Sequence, residues 1–256
     1  MKIQYLSDLH LEFAHNFSFI EHNQLSVTGD ILIMAGDIVT FGYFERLFTP
    51  YKSFFDFIST HYKAVYWLAG NHEYYHGDIA KRSGAFKEEV YPNIFLVNNV
   101  IEQFDGCRIL FSTLWSKIEP ANEEVVRKSM SDFSVISYAG KDFTPDLYNH
   151  LFDADIHFLQ QSVQTAYEGS TIIVTHHVPT LLYYPVEYVG SPINNGFVTE
   201  LKDFIEQSCI DYWIYGHHHR NTPTFKIGKA QLLTNQLGYV ARNECPEFDA
   251  GAYIEV

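Results

Sequence analysis

The stretch Ala64-Val65-Tyr66-Trp67-Leu68-Ala69-Gly70-Asn71-His72-Glu73 decides how the chain is read. An apolar run of strand length enters a glycine turn that presents an amide, an imidazole and a carboxylate in consecutive positions. Strands that are apolar throughout are buried on both faces, and open α/β sheets put their chemistry in the loops at the carboxyl ends of such strands. The same order recurs in Tyr5-Leu6-Ser7-Asp8-Leu9-His10, Ile33-Met34-Ala35-Gly36-Asp37, Ile173-Val174-Thr175-His176-His177 and Trp213-Ile214-Tyr215-Gly216-His217-His218-His219. Five apolar strands, each ending in Asp, Asn or His, are the layout of a metal site assembled from strand-end loops.

Outward from these runs, strands are expected at Lys2 to Leu6, Ile31 to Ala35 and Ala64 to Leu68. Apolar spacing at Phe44, Leu47, Phe48, Phe54, Phe55 and Ile58 predicts a crossover helix, with Pro50 at a kink or restart. The segment His15 to Thr28 has no clear period and reads as a loop or short hairpin. Asp78 reads as the N-cap of a helix running through Val90 and ended by Pro92. Short strands from Ile94 to Leu114 break at Asn98-Asn99 and at the Asp105-Gly106 turn. A short helix is expected near Asn122 to Met130, and Thr144-Pro145-Asp146 opens a long one reaching Tyr167. After a strand at Thr171 to Thr175 comes a long Tyr- and Pro-rich loop, Pro179 to Asn195, then a helix from Phe197 to Ser208. Short strands follow at Tyr212 to Tyr215, Thr224 to Ile227, Ala230 to Thr234 and Ala252 to Val256. Strands alternating with helices, interrupted by hairpins, predict an α/β fold: two packed mixed sheets with helices outside both, a four-layer α/β/β/α sandwich. No linker, repeat or low-complexity block divides the chain, so one domain is expected across 1–256.

At 256 residues and 46% hydrophobic, the chain can bury a substantial core. Its net charge of −14 repels anionic membranes and nucleic acid, and it carries no Lys/Arg cluster with interleaved aromatics, so a nucleic-acid duplex is not an expected partner. A substrate carrying phosphate then needs positive charge supplied locally, which bound metal ions would provide. Cys107, Cys209 and Cys245 fit neither a disulfide framework nor a CxxC knuckle, which points to a reduced compartment. The first strand begins within a few residues, without a signal sequence or an apolar run of bilayer length, so a cytoplasmic protein is expected.

An Asp-x-His triplet alone is common, but Gly70-Asn71-His72-Glu73 is rare, and the order of all five motifs carries the argument. The chain resembles the calcineurin-like metallophosphoesterases, whose hallmark is this five-part signature. The resemblance spans the whole chain, includes Thr113-Leu114-Trp115, Asn235 and Gly238-Tyr239, and is greatest to compact bacterial members called serine/threonine phosphatase-like. It implies one metal ion held by Asp8, His10, Asp37 and His219, and a second held by Asp37, Asn71, His176 and His217, with Asp37 bridging. Carboxylate, imidazole and amide donors without thiolate suit Mn²⁺, Fe or Zn²⁺, and a shared carboxylate can hold two ions about 3.5–4 Å apart. The implied activity is hydrolysis of a small phosphomonoester or phosphodiester by attack of metal-bound hydroxide. Nucleotide phosphodiesterase and pyrophosphate-bond hydrolase remain open, protein serine/threonine phosphatase less so, and from another class a non-catalytic metal-binding scaffold. No ligand position is lost, which favours an enzyme.

By the same resemblance, His72 is the catalytic residue, placed to protonate the leaving alkoxide or hydrogen-bond the oxyanion; its alternative is a core histidine packing the turn. Glu73 is expected to fix the loop by hydrogen bonding. His177 and His218 are expected bystanders, while His150, Asp153 and His157, on one helical face, read as a solvated surface. Protein phosphatases of the family continue the second motif as Gly-Asp-x-x-Asp-Arg-Gly and place Arg before the third. Here the run is Gly36-Asp37-Ile38-Val39-Thr40-Phe41-Gly42, and Ala69 precedes Gly70. The carboxylate that would orient His72 and two phosphate-gripping arginines are thus missing, and Asp132 is a candidate to replace the first. Asn71, Arg220, Tyr183 and Tyr188 are the candidate substrate contacts, with Tyr184 beside them; loop packing is the alternative for the tyrosines and a surface role for Arg220.

Overall fold

The computed structural model describes every residue except Leu47 and Cys245, so the helical position assigned to Leu47 and the third cysteine lie outside the described residues. Its strands are β1 Lys2–Leu6, β2 Ile31–Ala35, β3 Ala64–Leu68, β4 Phe86–Tyr91, β5 Ile94–Asn98, β6 Val100–Phe104, β7 Cys107–Ser112, β8 Ser137–Tyr138, β9 Lys141–Asp142, β10 Ser170–Thr175, β11 Tyr212–Ile214, β12 Phe225–Ile227, β13 Ala230–Leu233 and β14 Tyr253–Glu255. Its α-helices are α1 Ala14–His22, α2 Phe41–Arg46, α3 Phe48–His61, α4 Glu123–Ser129, α5 Asp132–Val135, α6 Pro145–Gln164 and α7 Lys202–Gln207.

Two six-stranded sheets run in the orders β14-β1-β2-β3-β5-β4 and β12-β13-β11-β10-β7-β6. The four central strands of each are parallel and the edge strands antiparallel, so both sheets are mixed. Side chains alternate across a strand. Ile31, Ile33 and Ala35 of β2 join Tyr66 and Leu68 of β3 in a core shared with Ile109 and Phe111 of β7 and Ile172 and Val174 of β10. The alternate residues, Leu32, Met34, Val65 and Trp67, pack in a second apolar cluster with Phe54, Phe55 and Ile58 of α3. Each central strand is therefore buried on both faces, which is why it reads as an unbroken apolar run. The layers are helix, sheet, sheet, helix, as the strand pattern predicts.

Three expectations are corrected. Residues Ala14–His22 form a helix, not a loop, and its burial rests on a polar anchor: Asn16 donates to Leu9 O (2.9 Å) and Gly238 O (2.7 Å) and accepts from Val240 N (3.1 Å). A search for apolar periodicity passes over such a helix. Asp78 caps only the single 3-10 turn Ile79–Lys81, accepting from Ala80 N at 3.0 Å; Gly84, at φ +75°, then breaks the chain and Phe86–Tyr91 is an edge strand. The helix expected from Phe197 is confined to Lys202–Gln207, because Val198 bridges to Val178 and Glu200 accepts from Lys202 N at 2.9 Å as the new start. Pro50 falls in the first turn of α3, where its missing N–H costs nothing. Among the described residues no helix is long and apolar enough to cross a membrane.

Helix α6 starts as its sequence dictates, with the Thr144 hydroxyl accepting from Leu147 N at 3.4 Å and Pro145 at the first position. His150, Asp153 and His157 are exposed. On the opposite face, Asp155 is buried, accepts from Asn99 Nδ2 (2.6 Å) and Trp115 N (3.3 Å), and Asn99 accepts in turn from Ser112 Oγ (2.7 Å). Asp155→Ala strands these donors in the core and is expected to cost about 2 kcal/mol in chemical denaturation. Asp153→Ala, which removes an exposed ion pair with Lys117, should change stability by less than about 0.5 kcal/mol.

Candidate metal centre

The carboxyl ends of β1, β2 and β3 in one sheet and of β10 and β11 in the other deliver Asp8 and His10, Asp37, Asn71 and His72, His176, and His217 and His219. Main-chain bonds stitch the loops together: Asp8 N to Gly36 O (3.0 Å), His10 N to Asp37 O (2.9 Å) and Gly216 N to His176 O (3.0 Å). Asp8, His10, Asp37 and His219 form one cluster of ligand atoms and Asp37, His176 and His217 a second, the atoms of each within 4.8 Å of one another. Asp37 belongs to both. Asn71 Oδ1 joins the second cluster 3.1 Å from His176 Nε2.

The imidazoles show what the clusters are built to hold. Each turns one ring nitrogen outward to an acceptor: His176 Nδ1 to Ala35 O (3.0 Å), His219 Nδ1 to Glu244 (2.6 Å), His10 Nδ1 to Glu12 (3.4 Å) and His217 Nε2 to Gly196 O (3.3 Å). That bond fixes the tautomer and leaves the other nitrogen as a lone pair facing inward. The inward nitrogens then meet each other, His10 Nε2 and His219 Nε2 at 2.9 Å and His176 Nε2 and His217 Nδ1 at 3.1 Å. Lone pairs brought that close, beside two buried carboxylates, fit cations. The donor set is the one that two divalent or trivalent metal ions would take.

The backbone is bent to make this convergence. Asp8, His10, Asp37, His217 and His219 lie at φ 57°, 47°, 56°, 79° and 50°, a region that non-glycine residues enter only when their surroundings hold them there. Glycines give the room: a Cβ at Gly70 would sit 2.8 Å from Asp37 N and 2.9 Å from the His176 ring, and one at Gly216 would sit 2.6 Å from Ser7 Oγ. Burial opposes charge on Asp37, but His176, His72 and His10 outweigh it and hold the carboxyl well below its usual range. The converse lifts His176, against its burial, to about 9, chiefly through Asp37.

Glu73 fixes the third loop. Its Oε2 accepts from Asp37 N (3.0 Å) and Gly70 N (2.7 Å), and its Oε1 from Ile38 N (2.7 Å) and Trp67 Nε1 (2.9 Å). Burial and then Asp37 push its carboxyl up, to about 7, while Ile38 and Trp67 pull it back. All four partners donate, so a proton on Glu73 would find no acceptor among them; the ionised form is the one the loop is shaped around.

His72 donates its backbone N–H to Asp37 Oδ1 (2.9 Å), stacks on Tyr75 at 4.0 Å, and points Nε2 toward Tyr239 Oη (3.4 Å). Its Nδ1 is held by Glu12 Oε1 at 3.0 Å. Glu12, two residues after His10, therefore supplies the carboxylate that the second motif lacks. Asp132 does not touch His72. It accepts from Asn71 Nδ2 and Tyr75 Oη, both at 3.1 Å, and so turns the Asn71 oxygen toward His176.

His177 is buried against Tyr148 Oη (3.1 Å) and Thr113 O (3.3 Å), and burial lowers its pKa to about 3. His218 is bonded through Nδ1 to Gln236 Nε2 (2.9 Å). Neither belongs to a ligand cluster among the described residues. A cavity of about 310 Å³ opens on the centre, lined by His72, Asn71, Tyr75, Tyr184, Tyr188 and Tyr239 among others. Two candidate substrate contacts lie outside that lining. Tyr183 is 67% exposed and packs on Phe225 at 4.7 Å, while Arg220 is engaged by Glu187 (3.1 Å) and by the carbonyls of His219 and Glu244 (3.0 Å each). Sequence reading missed Glu12, Tyr75 and Glu244, and named Tyr239 only within the resemblance, without a role at the site. Only Glu12 carried a signal, its i+2 spacing from His10.

The family model of calcineurin-like phosphoesterases matches residues 1–221, and the chain belongs to that family. It is a metallophosphoesterase, a hydrolase acting on phosphate esters. An uncharacterized protein of Acanthamoeba polyphaga mimivirus is 30% identical over 276 residues, covering 99% of this chain and 96% of that one. Among solved structures, the phosphopantetheinyl hydrolase of Mycobacterium tuberculosis shares the fold, with a TM-score of 0.69 at 16% identity over 99% of this chain and 95% of its own. A dimetal phosphatase from Danio rerio is more distant, with a TM-score of 0.48 at 12% identity over 91% and 86% of the two chains.

Two substitutions test the loop and its neighbour. Glu73→Gln turns an amide NH₂ onto backbone donors and should lower stability by about 2–3 kcal/mol in denaturant titrations. Gly70→Ala should fold but lose most of its metal, read by elemental analysis after gel filtration, because the methyl displaces Asp37 and His176.

Proposed function

We propose that the protein is a dinuclear metal-dependent phosphoesterase that hydrolyses a small phosphomonoester or phosphodiester, acting as one domain across residues 1–256. The observation that carries this reading is the pair of ligand clusters sharing Asp37, set at the floor of a cavity that His72 also lines. Asp8, His10, Asp37 and His219 would hold one ion, and Asp37, Asn71, His176 and His217 the other, with Mn²⁺, Fe and Zn²⁺ as the ions this donor set suits. When bound, the two ions supply positive charge for the phosphoryl oxygens and lower the pKa of the water that becomes the nucleophile.

The chain's own residues do the rest. Glu12 holds the Nδ1 side of His72, so the Nε2 side is the one presented toward Tyr239 and the cavity, where it gives a proton to the departing ester oxygen. Tyr75 holds the orientation of the ring by stacking, and the Asp37 carboxylate fixes the backbone beneath it. Asp132 holds the Asn71 amide so that its oxygen faces the second cluster. Tyr188 and Tyr184 wall the cavity on the side of the long loop. A scaffold retained only for binding would have no use for a histidine held at both ring nitrogens beside the ligand set.

Asp37→Asn is expected to lose metal and hydrolysis together. His72→Ala is expected to keep two metal ions per chain and to slow hydrolysis of an alkyl ester by about 10²–10⁴-fold. An undiminished rate in His72→Ala, on an ester whose alkoxide leaves poorly, would show that the proton comes from elsewhere.

A further inference from the structure

The charges around the cavity bear on which phosphate ester enters it. Beyond the ligand Asp37 and four histidines, its charged lining among the described residues consists of Asp132, Glu244 and Arg242. No lysine lines it, and the single guanidinium is already opposed, since Arg242 Nη1 lies 3.8 Å from Glu244 Oε1 and its plane rests over the Tyr239 ring at 5.1 Å. Asp132 carries its carboxylate oxygens on two donors, Asn71 and Tyr75, at 3.1 Å each. The chain as a whole bears a net charge of −14.

A phosphomonoester carries about −1.5 to −2 charges at neutral pH, whereas a phosphodiester carries one. Apart from the His72 proton that passes to the departing oxygen of either ester, the additional charge of the monoester needs a cation besides the metal ions, and among the described residues the one guanidinium of the lining is that of Arg242, already opposed by Glu244. Both the cavity's carboxylates and the overall field work against it. The diester asks for something else, a surface for a second ester substituent.

That surface is present. Tyr75 stacks on His72 at 4.0 Å and Tyr239 lies 4.8 Å from His10, forming an aromatic wall on the side where the leaving oxygen takes its proton. A separate wall stands at the other cluster. Phe197 stacks on His217 at 4.7 Å, Tyr184 lies 5.7 Å from His218 and 6.1 Å from Tyr188, and Met130 closes the end beside Gly196. Two walls flanking one centre match two ester groups on one phosphorus.

We propose that the site prefers phosphodiesters with apolar or aromatic substituents over phosphomonoesters, the departing group lying against Tyr75 and Tyr239 and the retained group against Phe197 and Tyr188. This rests on the phosphoesterase reading. Cleavage would break the P–O bond to the departing alcohol, with water supplying the new oxygen on phosphorus and His72 the proton on the alcohol, leaving the retained group as a phosphomonoester product.

The test compares the Mn²⁺-loaded full chain on bis-p-nitrophenyl phosphate and p-nitrophenyl phosphate, and measures calorimetric binding of two inert analogues, diphenylphosphinate and phenylphosphonate. The expected result is kcat/KM at least about tenfold higher for the diester, with diphenylphosphinate binding more tightly than phenylphosphonate. Tyr188→Ala should lower kcat/KM for the diester by a larger factor than for the monoester, while Ser131→Arg, which adds a cation at the exposed rim, should narrow the ratio by raising the monoester. A faster monoester, or tighter phenylphosphonate, overturns the proposal and leaves the phosphoesterase reading standing. Hydrolysis of neither ester by a chain holding two metal ions overturns the phosphoesterase reading itself.

Discussion

The carboxylate of Glu73 accepts four N–H groups, from Asp37, Ile38, Gly70 and Trp67, with both oxygens fully used. Two of these donors belong to the loop after β2 and two to β3 and its own loop, so one buried ion ties together the segments that carry Asp37, Asn71 and His72. Burying an ionised carboxylate without such partners would cost several kcal/mol, and losing one donor would expose much of that cost. The register between the two loops is accordingly set by hydrogen bonds that cannot slip by a residue. The packing of His176 against Gly36 and Gly70 depends on that register.

The constellation is held under backbone strain. Asp8, His10, Asp37, His217 and His219 all sit at positive φ, each at a cost that regular structure would not carry. What offsets it is the rigidity of the floor: among the described residues, twelve of the fourteen strands lie in two parallel-centred sheets with an apolar core between them. Strand ends emerging from such a core have little freedom, and the ligand side chains inherit that precision. The acceptors behind the rings, Ala35 O, Gly196 O, Glu12 and Glu244, complete it by setting which ring nitrogen faces inward.

The long loop from Pro179 is anchored rather than free-standing. Glu200 takes Thr180 Oγ1 and Leu181 N, Glu187 pairs with Arg220, and the Asn195 side chain accepts from Asn122 Nδ2 at 2.7 Å. Tyr184 is consequently buried against His218, whereas Tyr183, the adjacent residue, is turned outward at φ 58°. One residue of difference decides which tyrosine reaches the cavity, and the left-handed turn at Tyr183 is the cause.

The sequence by itself determined the two mixed sheets, because strands buried on both faces must be apolar throughout, and it located the five strand ends that meet, because Asp, Asn and His after such runs have no structural reason to be there. It also determined the start of α6, through Thr144 and Pro145. Tertiary structure alone decided what depends on partners distant in the chain. Helix α1 is held by Asn16 reaching residues more than two hundred positions away, so no local period announces it. The strand at Phe86–Tyr91 is a strand because β5 offers it an edge, while its Lys and Glu residues would equally suit a helix. Glu12 rather than Asp132 holds His72, Glu244 stands behind His219, and Arg220 is spent on Glu187, since hydrogen bonds between loops follow distance in space and leave no spacing in the chain.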